Sequence, residues 1–218
     1  MRFVVTAGPT REHLDPVRFL SNPSTGKMGF AVAAEAARRG CEVTLVAGPV
    51  ALKTPKGVAR VDVVSAREML SAVQTAIGAR GDVVFVSTAA VADWRPARCA
   101  TKKLKKGEMS STLKLVRNPD ILKTVRRSFK QAKTPDSRTI RLVGVAAETD
   151  RVLAEAARKC REKGLAFIVA NDVTQKGCGF GTDTNQVTLV FPDGALKRLP
   201  LMTKRGVARR IVDEIARL

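Results

Sequence analysis

Hydrophobic positions along the chain cluster in short runs, separated by stretches with helical spacing. Phe3-Val4-Val5-Thr6 is expected to be a buried strand, and the alanine-rich run Phe30 to Arg39 a helix. Glu42-Val43-Thr44-Leu45-Val46, ending at Gly48-Pro49, forms a second strand. Val58 to Val64 forms a third, Ala66 to Ile77 an amphipathic helix, and Val83-Val84-Phe85-Val86 a fourth strand. The pattern breaks over residues 97–115, where Lys102-Lys103-Leu104-Lys105-Lys106-Gly107 precedes the alternating Thr112-Leu113-Lys114-Leu115. A basic helix capped by Asp120 runs to Lys130 and ends in the polar turn Thr134 to Arg138. Alternation then resumes with strand Ile140 to Val145, helix Asp150 to Lys163 and strand Ala166 to Ala170. A loop around Gly177 to Asn185, strand Val187 to Phe191 and a closing helix Lys204 to Leu218 complete the chain. Strands alternating with helices build βαβ units, so the expected class is α/β. It has a Rossmann-like, mostly parallel sheet with helices on both faces and an inserted flap or hairpin at about 97–116. One domain covers residues 1–218.

Composition changes this picture little. A chain of 218 residues with 44% hydrophobic content can bury a full core. Nothing approaches the roughly 18 consecutive apolar residues of a membrane span, and the N-terminus runs straight into a strand, so the expectation is a cytoplasmic protein. Cys41, Cys99, Cys160 and Cys178 contain no CxxC pair, and the lone histidine, His13, completes no metal set, so reduced thiols are expected. The net charge of +19, from 39 Lys and Arg against 20 Asp and Glu, raises nucleic acid as a partner. With aromatics at 4%, no Tyr and one Trp, few platforms exist for stacking on single strands. The basic residues are also spread over the whole chain. Anionic small substrates are the better match.

The candidate chemistry centres on Asp15 to Gly29, DPVRFLSNPSTGKMG, which lies between the first strand and the first helix. Unpaired N–H groups and the positive dipole end at a helix start suit a phosphate or carboxylate. The Gly26-Lys27 pair is not a Walker loop: position 21 is Ser rather than Gly, and position 28 is Met rather than Ser or Thr. No GxGxxG follows the first strand either. Asn22 is either a turn or cap residue, or an amide that holds an acyl carbonyl or oxyanion. Arg18 is either a surface charge or a bidentate partner for carboxylate or phosphate. The small residues Ala89 to Ala92 permit close approach to the backbone, and Asp93 either caps or accepts from a ribose or base. Lys103 and its neighbours are a solvated charge run or a lid over a triphosphate. Lys159 and Lys163, four apart on one helix face, repel unless an anion bridges them, or they simply face solvent.

Taken together, these segments resemble the phosphopantothenate–cysteine ligase family, the ligase half of the bacterial bifunctional coenzyme A enzyme. The matching stretches are VTAGPTRE (5–12), DPVRFLSNPSTGKMG (15–29), AAVADWRP (89–96), KKLKK (102–106), RNPDI (117–121), VAAET (145–149), VANDV (169–173) and GFGTDTN (179–185). The resemblance implies that 4′-phosphopantothenate and CTP form an acyl-cytidylate and pyrophosphate, after which L-cysteine displaces CMP, with Mg2+ neutralising the triphosphate. By the same resemblance, Asn22 handles the acyl intermediate and Arg18 belongs to the phosphopantothenate loop. Ala89, Asp93, Asn118, Pro119, Asp120, Ile121, Lys159 and Lys163 contact the nucleotide, and Lys103 reaches its phosphates. Val145 stands where the bacterial family has Phe, beside the nucleotide base, which leaves CTP against ATP open; Thr25 replaces a common Ser and keeps the hydroxyl. The family implies a homodimer. The flavin-dependent decarboxylase half has no counterpart in these residues, which leaves a free-standing ligase, with a separate decarboxylase as partner, or one domain of a longer enzyme. Two other classes remain to be weighed against this one: a basic nucleic-acid-binding protein, and a nucleotide-binding protein without turnover, on the same scaffold.

Overall fold

The computed structural model of the chain describes residues 1–78, 81–108, 111–131 and 139–218. Strand β1 (Arg2–Ala7) is followed by the hairpin β2 (Arg11–His13) and β3 (Phe19–Ser21), then helix α1 (Lys27–Arg38). Next come β4 (Glu42–Ala47), β5 (Val58–Asp62), α2 (Ala66–Ile77) and β6 (Val83–Ser87). The short strands β7 (Trp94–Pro96) and β8 (Leu115–Arg117) precede α3 (Ile121–Gln131), β9 (Ile140–Glu148) and α4 (Val152–Lys163). The chain ends with β10 (Phe167–Asp172), β11 (Thr184–Asn185), β12 (Val187–Val190), β13 (Leu196–Arg198), β14 (Met202–Thr203) and α5 (Lys204–Ile215).

The central sheet has eight strands in the order β13-β12-β10-β9-β6-β1-β4-β5. From β5 to β10 every pairing is parallel; β12 and β13 then join antiparallel. Alternation along each strand sorts the core. Phe3, Val5, Val84 and Val86 face α1 and α5, while Val4 and Phe85 face the layer of α2, α3 and α4. All six of these side chains are essentially inaccessible to solvent, and each stabilises the fold by about 1.5–3 kcal/mol relative to exposure. The architecture is the expected α/β sandwich.

Strand order reverses between β1 and β6, so their carboxyl ends leave a crevice, the place where open α/β sheets bind ligands. Two differences from the sequence reading concern the surroundings of this crevice. Among the described residues of 97–114 no strand forms. Instead β7 and β8 pair antiparallel at the base of the flap, Trp94 opposite Arg117. Helix α4 starts at Val152 rather than Asp150, because Arg151 adopts a left-handed conformation with φ 42°. The polar turn at 134–138 lies outside the described residues. Among the described residues the cysteines are free thiols, and no helix is long and apolar enough to cross a membrane.

Candidate active site

The crevice opens into a cavity of about 510 Å³, lined by the start of α1, the 87–93 loop after β6, the 118–122 turn, the end of β9, the inner face of α4 and the 179–185 loop. Its floor is built by hydrogen bonds from neighbouring strands. The Thr6 hydroxyl accepts from Ala89 N at 3.3 Å, and Thr10 Oγ1 accepts from Ala92 N at 3.0 Å. Thr88 Oγ1 donates to Thr6 O at 2.5 Å, and Ala90 N donates to Gly8 O at 2.9 Å. Small side chains at 89–92 leave this loop's backbone facing the cavity.

Helix α1 enters through Gly26, at φ 78°, with no side chain capping its first N–H groups and no acid in its first turn. That backbone angle favours glycine, and the uncapped N–H groups with the positive dipole end make an anion site. Gly29 is required by packing. A Cβ there would lie 2.3 Å from Thr88 Oγ1 and 2.6 Å from Ala7 Cβ, so its absence lets α1 sit directly on β1 and the 88–93 loop.

Asn22 does not cap α1; Gly26 does. The Asn22 amide donates from Nδ2 to Ala90 O at 3.0 Å, tying the segment before α1 to the pinned loop across the crevice. Asn118 closes the opposite side: its Nδ2 donates to Ala92 O at 2.8 Å, its backbone N donates to Asp93 O at 2.8 Å, and its Oδ1 accepts from Arg95 at 3.1 Å. Asp120 caps α3, accepting from Lys123 N at 3.0 Å. Asp93 is exposed and makes no side-chain hydrogen bond or ion pair among the described residues.

Lys159 and Lys163 both line the cavity, yet their spacing needs no bridging anion. Lys159 pairs with Glu148 at 2.5 Å and Lys163 with Asp120 at 2.9 Å, so each positive charge already has a carboxylate from another element. Val145 and Ile121 complete the apolar part of the wall with Pro119.

Arg18 and Lys103 are not in the cavity wall. The Arg18 guanidinium holds Asp15 at 2.5 Å and donates to Leu104 O at 2.8 Å, so it anchors the flap to the turn before β3. Asp15, fully buried, also accepts from Val17 N, Arg18 N and Leu104 N. The Arg18 guanidinium, with these N–H groups, holds the Asp15 carboxyl well below the usual carboxylate range. Lys103 is exposed on the flap beside this anchor.

Three cavity residues were not among the candidates drawn from the sequence, although Lys27 stands in the 15–29 stretch and Asn171 in VANDV. Lys27, the first residue of α1, donates from Nζ to Gly181 O at 2.6 Å and pairs with Asp183 at 2.7 Å. Asn171, at the end of β10, donates from Nδ2 to Cys178 O at 3.0 Å while its Oδ1 is buried without a partner among the described residues. Lys204, the first residue of α5, is buried in the wall. A lone Lys at the start of an exposed-looking helix reads as a solvated charge, and only the packing of the 179–185 loop over it reveals otherwise.

Among the described residues the arrangement holds many donors and cations, a set suited to binding and positioning anions.

Comparison with known proteins matches this geometry to one family. Residues 1–218 match the model described as "DNA/pantothenate metabolism flavoprotein C-terminal domain". The coenzyme A biosynthesis bifunctional protein CoaBC of Escherichia coli (strain K12) is 47% identical over 218 residues, 99% of this chain and 51% of that protein. CoaBC of Bacillus subtilis (strain 168) is 47% identical over 216 residues, again 99% of this chain and 51% of the relative. The chain therefore spans about half the length of the curated relatives it matches. A crystal structure of the C-terminal domain of CoaBC superposes with a TM-score of 0.77 at 42% identity, covering 98% of this chain and 93% of that one. A DNA/pantothenate metabolism flavoprotein from Streptococcus pneumoniae, at 22% identity and a TM-score of 0.79, shares the fold.

Proposed function

The chain belongs to the DNA/pantothenate metabolism flavoprotein C-terminal domain family, and we propose that it joins 4′-phosphopantothenate to L-cysteine in coenzyme A biosynthesis, consuming CTP. The observation that carries this reading is one cleft at the carboxyl ends of β1 and β6. It gathers Asn22, Ala89, Asp93, the 118–121 turn, Val145, Lys159 and Lys163 from five separate parts of the chain.

In the first step a carboxylate oxygen of phosphopantothenate attacks the α-phosphorus of CTP. The new C(O)–O–P bond forms as the Pα–O bond to pyrophosphate breaks. In the second step the cysteine nitrogen attacks the acyl carbon, the C–N bond forms, the C–O bond to CMP breaks and a proton leaves the amine. Both steps build charge on oxygen, and neither needs a protein nucleophile. Asn22, held by Ala90 O, stands where the acyl group of the mixed anhydride passes. The uncapped start of α1 takes phosphate oxygens. Lys159 and Lys163, with Glu148 and Asp120 as counter-ions, present cations that stay in place when the cleft is empty.

Magnesium fits this site as an ion that arrives on the triphosphate. Among the described residues no three ligating side chains cluster, and Asp93 is the cleft carboxylate left without an ion pair. An ion of this kind is held by substrate phosphates and one or two carboxylates, and it neutralises the triphosphate for attack. Asp93 is the residue that would hold it.

Lys103 is proposed to approach the phosphates from the flap. Arg18, committed to Asp15, acts by fixing the flap's inner end. A homodimer is proposed from the exposed apolar residues Val17, Phe19, Trp94 and Leu115 on two neighbouring hairpins, where Val17 is 56% exposed.

Asn22→Asp tests the reading most sharply. The Asp side chain fills the same space but cannot donate to Ala90 O, so the melting temperature of the variant is measured first and rates are compared on folded protein. The variant should still release pyrophosphate and yet form phosphopantothenoylcysteine more than 100-fold slower, as loss of an oxyanion donor does. Unchanged amide formation by mass spectrometry would remove Asn22 from the chemistry.

A further inference from the structure

Lys204 is the one lysine of the cleft whose charge is not balanced where it sits. Its side chain is only 9% exposed. Among the described residues its ammonium makes one hydrogen bond, to Gly179 O at 3.5 Å, the outer limit for such a bond. By contrast Lys27 has Gly181 O and Asp183, Lys159 has Glu148, and Lys163 has Asp120. Burial, and then the neighbouring charge of Lys27, hold the Lys204 ammonium below the ordinary lysine value; Asp183 and Cys178 oppose this. A buried ammonium with one weak acceptor is costly unless something anionic joins it.

The surroundings point to what joins it. Lys27 and Lys204 are each the first residue of a helix, α1 and α5, and neither helix has an acid in its first turn. Lys27 pairs with Asp183 at 2.7 Å, while Lys204, whose helix is capped by Thr203, donates its backbone N to Asp183 O at 2.9 Å and makes no ion pair with that carboxylate among the described residues. Beside them, Asn171 is 8% exposed and has an unpartnered Oδ1 in the same cavity wall. Its Nδ2 is fixed on Cys178 O, one residue before the carbonyl that Lys204 reaches, so the orphan is an acceptor and cannot be exchanged for a donor by rotating the amide.

We propose that Lys204 binds a phosphate group of the substrates at this inner end of the cleft. This rests on the ligase reading for the identity of those substrates. The recognised chemistry is a phosphate bearing two charges, which either the tail of the nucleoside triphosphate or the phosphate monoester of phosphopantothenate supplies.

The test is binding, measured apart from turnover. Lys204→Met keeps the length of the side chain, removes a buried charge and should leave the melting temperature unchanged or raised. Titration calorimetry of wild type and variant with CTP, inorganic pyrophosphate and phosphopantothenate should show affinity for at least one ligand weakened roughly tenfold or more. Lys204→Arg should restore part of it. Loss confined to CTP and pyrophosphate assigns the triphosphate tail, and loss confined to phosphopantothenate assigns the monoester. In the wild-type protein, the Lys204 ammonium resonance, identified by its absence from the Lys204→Arg variant, should shift on addition of the assigned ligand; this holds even if the Met variant proves unstable. Affinities within twofold for all three ligands, or an unmoved ammonium signal at saturation, would overturn the inference while leaving the ligase reading intact. A wild type that binds none of the three would overturn both.

Discussion

The loop after β6 and the flap after β7 are near neighbours in sequence and both carry residues proposed to meet the nucleotide, but they are held in different ways. The 88–93 loop is pinned from three sides. Thr6 and Thr10 accept from Ala89 N and Ala92 N, Asn22 and Asn118 donate to Ala90 O and Ala92 O, and Gly29 brings α1 against Thr88. The flap is held at its inner end by Ala100 N on Leu14 O and by the Asp15–Arg18 pair on Leu104, and its lysines are exposed. The lesson is a division of labour. On the proposed reading, groups that meet the reacting atoms sit on backbone fixed before substrate arrives, and the lysines that meet the polyanion sit exposed on a segment held at its inner end.

The largest effect should come from loosening the pinned loop. Gly29→Ala puts a Cβ 2.3 Å from Thr88 Oγ1 and 2.8 Å from Thr6 O, so α1 must move off the sheet. The expected cost is about 2–3 kcal/mol of stability in urea unfolding, with activity lost in the protein that remains folded. A variant as stable and active as the wild type would show that the close helix–strand approach is not needed.

Next in size is the flap charge. Lys103→Ala should raise KM for CTP about tenfold, the scale of one charge-assisted phosphate contact, and leave the melting temperature alone. An unaltered KM would leave the flap without a role in binding the triphosphate.

The smallest effect concerns the clip. Asp15→Asn should reduce hydrogen-exchange protection of the Leu104 amide several-fold and barely change kcat. The pH dependence follows from the lowered carboxyl value. What Asp15 contributes is fully present above the unfolded value of about 3.9 and is lost only as pH falls through the lower folded value. Leu104 protection, corrected for intrinsic exchange, should therefore persist in the wild type down to about pH 4, the unfolded carboxylate value. Loss of protection between pH 6 and about 5 would mean that another group holds the flap.

The same contrast separates what the sequence made legible from what it did not. Continuous apolar runs at Phe3 to Val5 and Val83 to Val86 marked strands buried on both faces, and the polar, glycine-bearing stretch before α1 marked the carboxyl-end crevice. The direction of β12 was not readable, because a four-residue apolar run such as Val187–Val190 carries no sign of parallel or antiparallel pairing. The partners of Lys159, Lys163 and Arg18 were hidden for a related reason. Glu148, Asp120 and Leu104 reach them only after the chain has folded, so the spacing of Lys159 and Lys163 suggested an anion where two carboxylates already stand. Lys204 was invisible in the same way: its burial depends on the 179–185 loop, not on its own helix.

On the ligase reading, the crevice activates a carboxylate with a nucleotide before the amine arrives. The most direct measurement is pyrophosphate release from 4′-phosphopantothenate with CTP or ATP and magnesium, first without cysteine and then with it. The account predicts a burst of pyrophosphate with CTP in the absence of cysteine, and CMP together with phosphopantothenoylcysteine once cysteine is added. Pyrophosphate that appears only when cysteine is present would contradict the stepwise use of the cleft, and none under any condition would contradict the ligase reading itself.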